Sequence, residues 1–220
     1  MNQIHPTAVI GPRVRLGSTN VIGPFAVLIG DVELGSGNWV GAHVVIGAPP
    51  EVRSFDHGAD PVDPGGAGVV VGDGNVLREG VQVHSGWHEP TRVGSRAFIM
   101  NQSYVAHDAE VGDDVTLASG VRLGGHVRLG RGANLGLGTT VHQRAVVGAF
   151  AMIGMSSVVT RDVAPFVKAF GNPCRAKGWN EAGMSRAGFS EADIAWLSDP
   201  DGEAPERVLA ERAWFEGARA

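Results

Sequence analysis

Aliphatic residues fall at Ile4, Ile10, Leu16, Ile22, Leu28, Leu34, Val40 and Ile46, six apart without a slip. The beat resumes at Val71, Leu77 and Val83. It then runs from Val93 through Ile99, Val105, Val111, Leu117, Leu123, Leu129, Leu135, Val141, Val147 and Ile153 to Val159. A period of six fits neither the helical repeat of about 3.6 nor the simple strand repeat of about 2. It is the hexapeptide signature of a parallel β-helix, in which short strands and sharp turns carry an aliphatic ladder inside. Gly11, Gly17, Gly23, Gly35, Gly41 and Gly47 directly follow six of the first eight aliphatics, where the backbone must bend. This accounts for 33 glycines in 220 residues, about twice the ordinary share. No Gly-X-Y triplet runs through the chain, so collagen is excluded.

Three hexads make one triangular coil of eighteen residues in the left-handed version, an exception to the right-handed crossover rule. Twenty-three hexads predict between seven and eight coils, a mainly β prism roughly 36 Å long at ~4.8 Å per layer. The period breaks at residues 48–68 (APPEVRSFDHGADPVDPGGAG) and 84–92 (HSGWHEPTR). Both read as excursion loops, and solenoids place function on such insertions. A left-handed parallel β-helix is therefore expected over residues 1–165. A small C-terminal α-helical appendage is expected over 166–220. Within it, residues 190–193 (SEAD) form a capping box opening one helix, and a second helical pattern runs from Pro205 to about Gly217.

Composition narrows the function classes. A single cysteine, Cys174, rules out an internal disulfide and a cysteine-based zinc site. No secretory leader and no apolar run of ~18 residues is present. The expectation is a cytoplasmic protein without stable membrane insertion. A net charge of −5 argues against nucleic acid as a partner. The charge is uneven, however. Arg122, Arg128, Arg131, Arg144, Arg161, Lys168, Arg175 and Lys177 lie between Gly120 and Gly178 against Asp162 alone. Such a stretch suits an acidic partner or phosphate groups, or is simply a solvated face.

Coil arithmetic turns spacing into position. Hexads at 83, 105, 123, 141 and 159 stack on one face, so His84, His107, His126 and His142 crowd one edge in consecutive layers, ~4.8 Å apart. His107 directly precedes Asp108, a pairing that suits a base and the carboxylate that orients it. A solvated polar edge, a metal site and an acid–base site all stay open on these residues alone. A β-helix hydratase would need two zinc-binding histidines five apart, and no two of the eight histidines are. His84 and His88 have metal-like spacing but sit in a loop without a third partner. No metal ligands are therefore assigned.

Longer motifs add a family resemblance. "IHPTAVIGP" at the start, "IGPFAV" at 22, "EPTRVG" at 89, then "AHDAEVG", "LGGHV", "TTVHQRAVVG" and "RAGFS" make the chain similar to the acyl-carrier-protein-dependent UDP-N-acetylglucosamine O-acyltransferases. These bacterial hexapeptide-repeat enzymes begin lipid A synthesis. The resemblance implies that His107 is the general base, Asp108 its orienting carboxylate and the Gly125 N–H the oxyanion donor. It implies substrate contacts for His126, His142 and Gln143, a changed one at Tyr104, and nucleotide-sugar contacts for Asn180 and Arg186 in the tail; His84, on the same edge by coil arithmetic, is a further substrate-binding candidate. It further implies direct acyl transfer without a cofactor, an acyl carrier protein and a nucleotide sugar as partners, and a homotrimer.

Departures from the family mark where the acceptor could differ. Tyr104 stands where the family usually has histidine, and residues 48–68 lack the family's lysine-bearing loop. A tail glutamate appears as Ala182, with Glu181 one place early. Met155 stands where some members have glycine at the end of the acyl groove. A methionine there predicts a chain of about ten carbons or fewer. A related amino sugar or a specialised metabolite remains open as the acceptor, as do N-acyl transfer, a metal-dependent hydratase of the same architecture and a silent scaffold.

Overall fold

A computed structural model, describing residues 1–57 and 60–219, shows a three-sided parallel β-solenoid. Each of the predicted aliphatics lies in its own short strand. Pairing joins each strand to the one a coil later, so that Val105 pairs with Leu123 and Leu123 with Val141. Three sheets of ten, eight and seven strands result. Pairing crosses both interruptions, from Val40 to Leu77 and from Leu77 to Ile99, with one shift of register after Val83 at the first. The extra residues are therefore expelled as loops, as expected. Two residues of the first loop, 58 and 59, lie outside the described residues.

The ladder fills the prism. Leu77, Ile99, Val105, Leu117, Leu123 and Leu135 are completely buried, each such side chain contributing roughly 1.5–3 kcal/mol relative to exposure. Ile4, in the end strand of its sheet, is exposed. Corners are tight turns whose second residue enters the left-handed region. Along one edge these are Asp108, His126 and Arg144, at φ of 57°, 59° and 63°. Aspartate tolerates that region better than most residues, and a β-branched one would be a genuine outlier there. At another edge a buried asparagine ladder closes the turns. Asn20 accepts from the Asn38 N–H at 2.8 Å, and Asn38 accepts from the Asn75 N–H at 2.9 Å.

The sheet does not stop at residue 165. Val167–Phe170 adds a parallel strand beside Met152–Ile153, and Arg175–Trp179 returns antiparallel to it. The period of six misses this hairpin because Val167–Phe170 alternates buried and exposed residues with the period of a simple strand. Helices follow: α1 (Glu181–Arg186), α2 (Glu191–Ser198) and α3 (Glu206–Arg219). The Ser190–Asp193 capping box opens α2 as predicted, whereas α1, six residues with a glycine inside, has no sequence counterpart above. Residue 220 lies outside the described residues. Phe150, Phe166 and Phe189 anchor the appendage in a second core with Met184, Leu197 and Val208. Among the described residues no helix is long and apolar enough to cross a membrane.

Candidate functional site

One edge of the prism carries both loops and most of the predicted site. It joins the eight-stranded to the seven-stranded sheet. The chain leaves it after Val45–Ala48 and after Gln82–His84, returning at Val69–Val71 and Thr91–Val93. His107 and Asp108, Gly125 and His126, and Gln143 and Arg144 form the corners of the next three coils. Stacking is direct: the His126 N–H donates to the His107 carbonyl at 3.1 Å, and the Arg144 N–H to the Gly125 carbonyl at 2.9 Å.

Asp108 is the hub. Its side chain is 2% exposed. Oδ1 accepts from the N–H groups of His88 and Glu89, both at 2.8 Å. Oδ2 accepts from the Trp87 N–H at 3.0 Å and from His107 Nδ1 at 2.7 Å. Burial pushes the carboxyl up, but the hydrogen bonds from Glu89, His107, Trp87 and His88 together outweigh it and hold the group at about 2. An ionised carboxylate only accepts, so His107 must carry its proton on Nδ1. Nε2 is left as the basic nitrogen.

The ring of His107 lies over Gly125. A Cβ added there would come within 2.6 Å of its Cε1 and Nε2, so glycine is required for the ring to sit where it does. The Gly125 N–H makes no hydrogen bond among the described residues. It is a free donor beside the free nitrogen. His126 meets the His107 ring edge-on at 5.2 Å. Burial pushes the His126 imidazole down, with Arg144, His107 and His88 adding to the effect and Asp108 opposing it. This favours its neutral form.

His84 is not in the loop, as its sequence context suggests, but closes the strand Gln82–His84 and is buried. The first loop covers it. His84 Nδ1 lies 2.8 Å from the Pro49 carbonyl, and its ring is 5.2 Å from that of Tyr104. The Tyr104 hydroxyl donates to Glu51 of the same loop. Burial, then Glu51, pushes that phenol up. His142 and Gln143 complete the edge one coil further on, both exposed, with His142 Nδ1 3.0 Å from the Gln143 carbonyl.

Three predicted site residues lie elsewhere in the single chain. Met155 occupies the corner between Met152–Ile153 and Val158–Val159, on another edge, and is 69% exposed. Asn180 and Arg186 lie at the third edge and line a cavity of about 500 Å³ with Asp114, Asn134, Phe150 and Met152. Asn180 is the N-cap of α1, its oxygen accepting from the Gly183 N–H and its amide donating to the Phe150 carbonyl at 2.8 Å.

Sequence reasoning missed His88 as a neighbour of His126. Its ring packs at a tilt against Trp87 at 4.2 Å and faces His126 at 6.5 Å. The loop returns to the edge through backbone N–H groups, which residue spacing does not reveal. Ligand atoms of His107, Asp108 and His126 fall within 4.8 Å of one another, a spacing a metal ion could bridge. The donors are already occupied, however: both Asp108 oxygens accept two hydrogen bonds each, and His107 Nδ1 is one of the donors.

Family models match at two places, "Bacterial transferase hexapeptide (six repeats)" over residues 90–125 and "Udp N-acetylglucosamine O-acyltransferase; Domain 2" over 162–199. The chain is similar to the acyl-[acyl-carrier-protein]–UDP-N-acetylglucosamine O-acyltransferase of Stutzerimonas stutzeri, at 36% identity over 86% of this chain and 79% of that protein. The protein of the same description from Aliivibrio fischeri is 37% identical over 57% of this chain, and the match spans about half of its length, 49%. Among solved structures, the UDP-N-acetylglucosamine acyltransferase of Campylobacter jejuni has a TM-score of 0.81 at 27% identity, covering 97% of this chain and 95% of that one. That of Francisella novicida has a TM-score of 0.77 at 26% identity, covering 99% and 88%.

Proposed function

Because the chain belongs to the UDP-N-acetylglucosamine O-acyltransferase family, we propose that it moves an acyl group from acyl carrier protein to a nucleotide-activated amino sugar. His107 acts as the general base. The acceptor is the 3-hydroxyl of UDP-N-acetylglucosamine or a related sugar, and the donor a 3-hydroxyacyl chain. His107 Nε2 takes the hydroxyl proton as the oxygen attacks the thioester carbonyl. The Gly125 N–H receives the oxyanion, and collapse expels the carrier thiolate, which recovers the proton from the imidazolium. The observation that carries this reading is the fixed tautomer: an ionised Asp108 on Nδ1 leaves Nε2 basic beside an unused N–H donor.

Charge supports the carrier as a partner. Of the eight cations in the basic segment, Arg128 and Arg131 pair within the chain. The other six make no ion pair among the described residues, and Arg144 and Arg161 lie along the base edge. An acidic carrier would find them free. Met155 supports a short acyl chain, of about ten carbons or fewer, because a long side chain at a groove's end excludes further methylenes.

A second reading keeps the chemistry and changes the acceptor. Glu51 on Tyr104, both beside His84, puts a carboxylate at the site edge in a loop that lacks the family's lysine, which would suit an amine-bearing sugar. Product mass spectrometry tests both. The protein is mixed with 3-hydroxyacyl carriers of several lengths and with UDP-N-acetylglucosamine or its amino analogues. A mono-acylated sugar nucleotide, formed fastest with the shorter carriers, is expected. Folded protein that acylates none of these acceptors would overturn the assignment.

A further inference from the structure

Residues 85–90 fold back over the base edge instead of projecting from it. Three consecutive backbone N–H groups, of Trp87, His88 and Glu89, converge on Asp108 at 3.0, 2.8 and 2.8 Å. Successive amides of this kind make a concave nest for an anion, and the anion here is a side chain of the same protein. The nest fills both sites of Oδ1 and one of Oδ2. The last is taken by His107 Nδ1 at 2.7 Å. A protonated carboxyl could not accept all four donors, so the nest selects the carboxylate, and the carboxylate selects the tautomer of the imidazole.

The loop is itself clipped in place. Gly86 pairs with Gly68 as an antiparallel bridge, the Gly86 N–H donating to the Gly68 carbonyl at 2.9 Å and the Ala67 N–H to the Gly86 carbonyl at 2.7 Å. The Thr91 N–H also donates to Gly68, at 3.1 Å. The end of the first excursion thus holds the start of the second. Gly86 turns so closely that an added Cβ would lie 1.6 Å from the Glu89 carbonyl oxygen. That contact is with backbone, so the turn would have to open.

We propose that residues 85–90 are a positioning element for the base: their backbone N–H groups hold Asp108 as an acceptor and thereby place the proton of the neutral His107 ring on Nδ1, leaving Nε2 as its acceptor nitrogen. The proposal rests on reading His107 as the base. It assigns no catalytic role to the side chains of Trp87 and His88.

Nitrogen-15 spectra of histidine-labelled full-length protein read the tautomer directly, the His107 signals being those lost in His107→Ala. The native protein should show His107 protonated on Nδ1. Gly86→Ala, which opens the turn, and Glu89→Pro, which deletes one donor, should each give a mixed tautomer. In each, kcat should fall about a hundredfold while KM stays within about threefold. The double substitution Trp87→Ala/His88→Ala keeps every N–H and should keep the native signature. A folded Gly86→Ala or Glu89→Pro protein with the native tautomer overturns the proposal, as does loss of that tautomer in the side-chain double variant. A changed tautomer with unchanged kcat overturns its catalytic half. Unimpaired transfer by His107→Ala would sink the base reading instead, leaving the structural effect of the loop intact.

Discussion

At Asp108, burial and hydrogen bonding pull in opposite directions, and hydrogen bonding wins. The group sits at about 2, below its ordinary 3.8, so it favours the folded state wherever it is ionised. The lowered value means that this contribution, about 2 kcal/mol, is complete above pH ~4 and is lost as pH falls through ~2. Denaturant midpoints measured against pH should therefore fall over that window in the native protein, and Asp108→Asn should lack this component. Parallel curves for the two proteins would contradict it. Asp108→Asn should also be less stable at neutral pH, because a single carboxamide oxygen cannot accept what two carboxylate oxygens do. His107 and Asp108 were legible as a pair from their adjacency and their motif. The other three donors to the carboxylate were not, because they are backbone N–H groups.

Among the elements, the hexad beat located every strand up to Val159, because in a β-solenoid one inward residue per strand is enough to fix each rung. The beat fails where the structure stops using it, in the hairpin of Val167–Phe170 and Arg175–Trp179. It also says nothing of how the excursions return to the edge, so His88 and Glu51 reach the site unannounced. The asparagine ladder shows what holds register across the first excursion. Asn38 Oδ1 accepts from both the N–H and the side-chain amide of Asn75, each at 2.9 Å, with the whole of residues 48–68 lying between them in sequence. Asn38→Ala strands a buried N–H and should lower stability by about 1–3 kcal/mol in chemical denaturation. A loss below about 0.5 kcal/mol would mean that the strands hold register without it.

At the scale of the whole molecule, the predicted site residues occupy three different edges of one prism. His107, Gly125, His126, His142 and Gln143 lie on the first, Met155 on the second, Asn180 and Arg186 on the third. The motif resemblance made them one site, but spacing alone could not say that a single chain keeps them apart. The proposed homotrimer would reconcile the two, since neighbouring copies could set one chain's base edge against another's tail. Two defective chains should then complement. Co-expressed His107→Ala and Arg186→Ala proteins should recover transfer that neither shows alone, because some mixed assemblies contain a site with both residues intact. Absence of recovery in verified mixed oligomers would mean that each chain works by itself. The most direct test of the account remains the base. Single-turnover acyl transfer by folded His107→Ala, compared with the native protein at saturating carrier and acceptor, should be slower by about 10²–10⁴-fold. A rate within about threefold of native would contradict the assignment of His107 as the base.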